Sequence, residues 1–368
     1  MDDILAAADD LGPYKIVHIN RPREGLRAIV VVDNIACGPA IGGARMAPDV
    51  SLAECARLAR AMSLKNAAAG LPHGGGKSVV FADPGMPEAD KERLMRAFAC
   101  SIADITDYIV GPDMGTDERA MAWIKDEIGR ATGLPAVIGG IPLDEIGATG
   151  FGCAVAAEVA QDFCDFSLDG ARVAVQGFGA VGHHAARFLA EKGAVLVAAS
   201  DSNGMVHAPD GIDVARLAAI KAGGGAVADY PVGEKHGRNA IIGVDCDIWI
   251  PAARPDVLDG DSVGRLKARL VVQGANIPAT AEAETIMHER GILSVPDFIA
   301  NAGGVICAAV EYRGGTETDA FAAIDEKIRR NTRSVLTDAR ERKCLPREAA
   351  EALAERRLRE AMALRRWS

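Results

Sequence analysis

The chain has 368 residues, and single hydrophobic cores tend to stop growing at roughly 250–300, so two domains are the first expectation. Its apolar fraction of 49% and charged fraction of 25% exclude disordered, collagen-like and coiled-coil classes. With 41 basic and 51 acidic side chains the net charge is -10, which gives no general attraction to a phosphate backbone, so no nucleic-acid partner is expected.

In chain order, the amino-terminal MDDILAAADD is acidic and lacks the basic lead and apolar core of a signal peptide. No apolar run is long enough to span a bilayer, and the eight cysteines are scattered singly without CxxC spacing. A cytoplasmic protein with reduced thiols, no membrane partner and no metal site is the expectation. Residues 25–33, GLRAIVVVD, form a β-branched run that favours a strand. Leu52, Cys55, Leu58, Ala59 and Met62 recur at helical spacing, and a second helical segment runs from about 88 to 105. Between them GLPHGGGKSVVF, residues 70–81, reads as a glycine-rich turn entering a short strand. Residues 128–150 are dense in Gly and Pro and read as a linker and cleft wall.

Strand and helix then alternate. ARVAVQGFGAVG (171–182) leads into HHAARFLAEKG and AVLVAASDSNG, and further strands are expected in CDIWIPAA, LVVQGAN and LSVPDFIANAGG. Such alternation implies a mostly parallel sheet covered on both faces. Residues 316–366 are again helical, and the arginines from Arg329 to Arg366 are interleaved with acids as on a solvated helix face.

Two groups of residues carry chemistry. GFGAVG places Gly177, Phe178, Gly179, Ala180, Val181 and Gly182 between a strand run and a helix, the setting of a dinucleotide fingerprint. Gly177 serves the tight turn, Gly179 close approach of the pyrophosphate and Gly182 helix–strand packing, with helix-start amides facing the phosphates. Asp201, 24 residues beyond Gly177, is placed to accept from an adenosine ribose, which favours NAD; Ser200, Ser202 and Asn203 leave NADP open. The second group is Lys65 in SLKNAAAG, Lys77 after three glycines, and Asp113 in GPDMGT. The Lys77 segment is not a P-loop, because Leu71 occupies the position that needs glycine. On a loop, Lys77 could approach a substrate closely, and Asp113 could exchange protons with it. Taken singly, each is also compatible with a surface lysine or a turn aspartate. His73 is an alternative base, and His183 and His184 suit neutral packing at the start of the cofactor helix, where added positive charge would oppose the dipole.

These segments resemble the Glu/Leu/Phe/Val dehydrogenase superfamily, the amino acid dehydrogenases. The resemblance lies in GPAIGGARM (38–46), MSLKNAAAGLPHGGGKSVV (62–80), GPDMGT (111–116), GATGFG (147–152), VQGFGAVG (175–182), GAN (274–276) and PDFIANAGGV (296–305). It implies a mixed α/β substrate and oligomerisation domain over 1–142, and a doubly wound Rossmann-type NAD domain over 143–325 with a cleft between them. Residues 326–368 would form a helical segment packing back on the first domain. The resemblance also implies a homo-oligomer that interconverts an amino acid with its 2-oxo acid and ammonia. Lys65 then resembles the partner of the substrate α-carboxylate, Lys77 the lysine that activates water and Asp113 its proton-handling partner. Gly42 and Gly43 resemble a loop lining the substrate pocket, to which Met62 and Val305 also belong. Asn276 resembles the residue that orients nicotinamide and substrate, and Thr149 lies in the segment near the carboxamide.

Glutamate enzymes of this family carry a lysine where this chain has Ile41, and a serine where it has Ala308. Burying a glutamate side-chain carboxylate against Ile41 and Ala308 leaves a charge unpaired, at about 1.4 kcal/mol for each factor of ten in discrimination. Leucine, valine or phenylalanine is therefore the expected substrate class. The alternatives are glutamate, a polar or β-hydroxylated amino acid, a 2-hydroxy acid, and a catalytically silent dinucleotide-binding scaffold.

Overall fold

The computed structural model describes residues 8–366; part of the acidic amino-terminal stretch and the last two residues of the helical carboxy-terminal segment lie outside the described residues. The chain divides into two compact units. The first takes the residues up to Pro142, Val305–Ala320 and those from Glu351 on; the second takes Leu143–Gly304 and Phe321–Ala350. The stretch read from sequence as one segment from 326 is thus shared between the units, and 305–320, read as part of the nucleotide domain, belongs to the first.

The first unit is built on a five-stranded mixed sheet, order β1-β2-β4-β3-β5. Its strands are β1 (Lys15–Arg21), β2 (Leu26–Asn34), β3 (Ala40–Ala47), β4 (Gly74–Phe81) and β5 (Tyr108–Pro112). β4 runs antiparallel to β2 and parallel to β3, and β3 runs parallel to β5. Helix α1 (Leu52–Ala68) starts at Ser51, whose Oγ accepts from Glu54 N at 3.2 Å, satisfying one of the amides a helix start leaves open. It turns Cys55, Ala59, Ser63 and Asn66, all buried, toward the sheet. On the other face α2 (Glu88–Ser101) and α3 (Glu118–Ile128) close a core containing Met95, Phe98, Tyr108 and Ile124. Burying each such side chain stabilises the fold by about 1.5–3 kcal/mol.

The expected glycine-rich turn at 74–76 is instead the first part of β4, so Lys77 stands within a central strand and not on a loop. Close packing explains the glycines. A Cβ on Gly75 would lie 2.0 Å from Ser63 N of α1, and one on Gly74 would lie 1.8 Å from Asn34 O. Gly42 and Gly43, expected in a loop, are likewise inside β3, where a Cβ on Gly42 would meet Gly76 O at 1.7 Å.

The second unit begins with α4 (Leu143–Ile146) and α5 (Ala148–Ala160), so the final residues of the expected linker are helical. The alternating elements follow: β6 (Arg172–Gln176), α6 (Ala180–Ala190), β7 (Val195–Asp201), β8 (Gly204–His207), α7 (Val214–Ala222), β9 (Glu234–His236), β10 (Ile248–Pro251), β11 (Leu270–Val272), α8 (Ala281–Glu289), β12 (Leu293–Val295) and α9 (Asp297–Ala300). Their seven-stranded sheet has the order β12-β11-β10-β6-β7-β8-β9. It is parallel from β12 to β7, as expected, and ends in antiparallel β8 and β9. Helices α10 (Gly303–Tyr312), α11 (Glu317–Arg342) and α12 (Pro346–Ala363) complete the chain. No helix among the described residues is long and apolar enough to cross a membrane. The α/β class, with one mixed sheet and one Rossmann-type sheet, is the one the sequence implies.

Candidate active site

In the first unit Lys77 and Asp113 meet, although 36 residues separate them. β4 carries Lys77 at its centre, and Asp113 follows the last residue of β5, so β3 lies between their strands. Lys77 Nζ donates to Asp113 Oδ2, and both side chains are largely buried. Arg45 of β3 stands 3.4 Å from Asp113 Oδ1 and is itself anchored by Glu54 of α1 at 2.5 Å. Met114 N donates to Asp113 Oδ1 at 2.6 Å. Burial alone would raise the Asp113 carboxyl, but the charge and hydrogen bond of Lys77, Met114 N and Arg45 outweigh it and hold it below the usual carboxylate range. Asp113 is therefore a carboxylate at neutral pH.

Gly43 makes the pairing possible, since a Cβ there would come within 2.8 Å of Asp113 Cβ and 3.2 Å of Lys77 Nζ. Strand alternation puts Ile41 on the same face as Gly43, and the pairing with Gly75 puts it beside Lys77's own face of β4. Ile41 is buried. Gly42 points to the opposite face, where Tyr108 Oη donates to its carbonyl at 3.0 Å. Lys65, in the last turn of α1, and Met62, also on α1, are both partly buried. Ala308 sits in α10 with its carbonyl accepting from Thr132 Oγ1 at 3.0 Å, and Val305 lies one turn earlier, partly buried. Thr132 in turn lies against Gly111 of β5, which is paired with Gly43. His73, the alternative base, is buried; its Nδ1 lies 3.1 Å from Pro39 O and its ring packs edge-on against Tyr312, with burial pushing its pKa down.

The second unit holds a cavity of about 810 Å³ whose wall includes Gln176, Gly177, Phe178, Gly179 and Asp201. Gly177 has φ +91, a backbone open to glycine, and a Cβ there would meet Ala253 Cα at 2.8 Å. A Cβ on Gly182 would strike Gly177 O at 1.9 Å, which accounts for close packing of α6 on its strand. Gly179, the N-cap of α6, has nothing within 4 Å of its Cβ position, so the space before Ala180, Val181 and the first-turn amides is open. Gln176 adds a buried Oε1 with no partner, and the residues fit a dinucleotide pyrophosphate at this helix start. His183 and His184, near the start of α6, are both held low by burial, His184 at about 4.

Asp201 ends β7 in the cavity wall, but its carboxylate is already engaged. Oδ2 accepts from Lys221 Nζ at 2.7 Å and from Val227 N at 2.8 Å, and Oδ1 accepts from Asn203 N at 2.9 Å. Against the cost of burial, these partners depress its pKa. Thr149 stands in the first turn of α5 against the glycines of the NAGG segment, where a Cβ on Gly304 would be 3.1 Å from its Oγ1. Asn276 Oδ1 accepts from Asn301 Nδ2 at 3.0 Å.

Sequence reasoning missed several organising residues. Glu311, buried in α10, accepts from Gly133 N at 2.7 Å, Leu134 N at 3.2 Å, Ile141 N at 2.8 Å and Thr132 Oγ1 at 3.2 Å, fixing the loop after α3. Asn66 Nδ2 donates to Gly74 O at 2.7 Å and ties α1 to the start of β4. A polar residue continuing the stripe of Cys55, Ala59 and Ser63 was a readable signal for Asn66; Glu311, Arg45 and Lys221 had none.

Residues 13–130 match the model of the Glu/Leu/Phe/Val dehydrogenase dimerisation domain, and residues 139–366 match that of Glutamate/Leucine/Phenylalanine/Valine dehydrogenase. A glutamate dehydrogenase of Aeropyrum pernix is 39% identical over 357 residues, covering 91% of this chain and 85% of that protein. A hetero-hexameric glutamate dehydrogenase from Thermus thermophilus, solved in a leucine-bound form, superposes with a TM-score of 0.83 at 32% identity, covering 96% of this chain and 90% of that one. An L-tryptophan dehydrogenase from Nostoc punctiforme superposes with a TM-score of 0.76 at 26% identity, covering 96% and 98%. With matches across both units and the lysine–aspartate pair in place, the chain belongs to the Glu/Leu/Phe/Val dehydrogenase superfamily of amino acid dehydrogenases.

Proposed function

We propose that the chain catalyses reversible NAD(P)-dependent oxidative deamination of an L-amino acid to its 2-oxo acid and ammonia, as a homo-oligomer. The observation that carries this is the buried Lys77–Asp113 pair on a glycine-cleared sheet face. In this scheme Lys65 pairs with the α-carboxylate and sets the direction of the Cα–H bond. A bound oxidised nicotinamide supplies the hydride acceptor. Lys77, when unprotonated, takes a proton from the water that attacks the resulting iminium carbon, and Asp113, sharing its hydrogen bond, relays protons to the departing nitrogen. Gly177, Gly179 and the first-turn amides of α6 hold the pyrophosphate, Thr149 and Asn276 serve the nicotinamide end, and Asp201 the ribose. Lys221 already neutralises Asp201, which supports acceptance of NADP beside NAD. The match of residues 13–130 to a dimerisation domain supports the oligomer.

Glutamate is the substrate that the relatives' names support, ahead of the leucine, valine or phenylalanine class expected from the sequence. One observation favours the second class. Ile41 is buried on the face that carries Lys77, and Ala308 offers no polar side-chain atom near Thr132. A glutamate side-chain carboxylate would need a cation from elsewhere. Ammonia-dependent oxidation of NADH and NADPH across 2-oxoglutarate, 4-methyl-2-oxopentanoate, 3-methyl-2-oxobutanoate and phenylpyruvate decides between them. Preference for 2-oxoglutarate establishes the glutamate reading, and preference for the apolar acids overturns it.

A further inference from the structure

Between β11 and α8 the second unit contains a strained corner. Ile277 has φ +48, in the left-handed region that a β-branched side chain rarely enters. Its side chain is half exposed, so core packing does not hold it there. Hydrogen bonds do. Asp297 Oδ2 accepts from Ile277 N at 2.8 Å, and Ile277 O accepts from Asp256 N at 2.9 Å. Asp256 is itself left-handed, at φ +52.

Asp297 is buried, and its second oxygen accepts from Arg347 Nη2 at 3.0 Å. Arg347, in the first turn of α12, also donates from Nε to Glu284 Oε2 at 2.6 Å and from Nη2 to Gln273 Oε1 at 3.0 Å. Gln273 Nε2 closes the ring by donating to Glu284 Oε1 at 2.7 Å. One guanidinium thus serves two buried carboxylates, one of which clamps the strained backbone. The residue before Ile277 is Asn276, whose side chain Asn301 orients while also standing 3.3 Å from Gly274 O and Ala275 O. Strain of this kind persists only where surrounding contacts over-determine it.

We propose that Asp297, held by Arg347, is a positioning residue for turnover: by keeping Ile277 left-handed it fixes where Asn276 presents its amide. The role rests on the proposed place of Asn276 at the reacting site. A glycine at 277 would adopt this backbone without strain but would admit many others; the clamped isoleucine admits one.

The test is a rescue, read as kcat with NAD and the better of glutamate and leucine. Asp297→Ala should lower kcat by about tenfold or more while the KM for NAD moves less than about threefold, since the misplacement lies at one end of the cofactor. Ile277→Gly alone should leave kcat within about threefold, and added to Asp297→Ala it should recover at least about threefold, because the unclamped corner no longer springs away. Should Asp297→Ala fail to fold, Asp297→Ser, whose shorter side chain withdraws the acceptor from Ile277 N, reads the same rescue with and without Ile277→Gly. A wild-type kcat in Asp297→Ala, or a double variant no better than the single one, would overturn the proposal. Asn276→Ala with unchanged kcat would remove the site reading and the positioning role with it. The clamp alone is then judged by whether the 277 and 297 substitutions couple in their urea midpoints.

Discussion

Asp113→Asn removes a carboxylate that faces both Lys77 and Arg45, and the structure sets the size of the effect. The asparagine amide oxygen still accepts from Lys77 Nζ, so the hydrogen bond survives while the charge does not. Lys77 is 7% exposed and left without a counter-charge, whereas Arg45 keeps Glu54 at 2.5 Å. Breaking a buried pair outright costs about 3–5 kcal/mol, and a hydrogen bond to a charged group is worth about 1.5–3 kcal/mol. With the bond retained, a loss of about 1.5–3 kcal/mol at pH 7 is expected. The pH dependence has a definite sign. Because the folded-state pKa of Asp113 is depressed, its contribution is fully present above the unfolded carboxylate value of about 3.9 and is lost as pH falls through the folded value. Urea unfolding of wild type and variant should therefore show a constant gap from about pH 5 upward and a narrowing gap below about pH 4. Turnover should fall by about 10²–10⁴-fold at every pH, as loss of a proton relay requires. A gap that persists unchanged to pH 3 would refute Asp113 as the charged partner of Lys77, and a variant with turnover within about tenfold of wild type would refute it as the proton relay.

Lys77→Ala should abolish deamination and leave NAD binding, measured by fluorescence titration of NADH, within about threefold of wild type, since the nucleotide cavity is in the other unit. Lys221→Met removes the cation that neutralises Asp201, so kcat/KM for NADPH relative to NADH should fall by about tenfold or more; an unchanged ratio would show that Lys221 does not read the ribose substituent. Gly75→Ala places a methyl 2.0 Å from the backbone of α1 at Ser63, and overpacking at this position should cost about 3 kcal/mol or prevent folding, visible as a lowered melting midpoint.

The parallel sheet of the second unit was legible because its strands are β-branched runs separated by helical periods, and GFGAVG sits at a strand–helix junction. β8 and β9 were not legible: Gly204 opens β8 directly after the turn that ends β7, and Glu234, Lys235 and His236 of β9 are polar and all exposed, with no apolar run to mark them. Glycine usually marks turns, which is why HGGGK implies one, while the loop expected at GPAIGG comes with the family resemblance. Here the glycines are strand residues whose missing side chains admit α1 and a neighbouring strand, information that exists only once those elements pack. The sequence singles out Lys77 and Asp113 one by one, but their contact, like that of Glu311 with the loop after α3, depends on strand order and not on sequence spacing.

In the proposed reaction this chain moves hydride from the α-carbon of an amino acid and releases its nitrogen as ammonia. Incubation with NAD and 2-deuterated glutamate or leucine measures it directly, by mass analysis of the reduced nucleotide and a parallel ammonia determination. One deuterium in the NADH formed and one ammonia per NADH are expected, both lost in Lys77→Ala. Unlabelled NADH, or reduction without ammonia, would contradict that reaction.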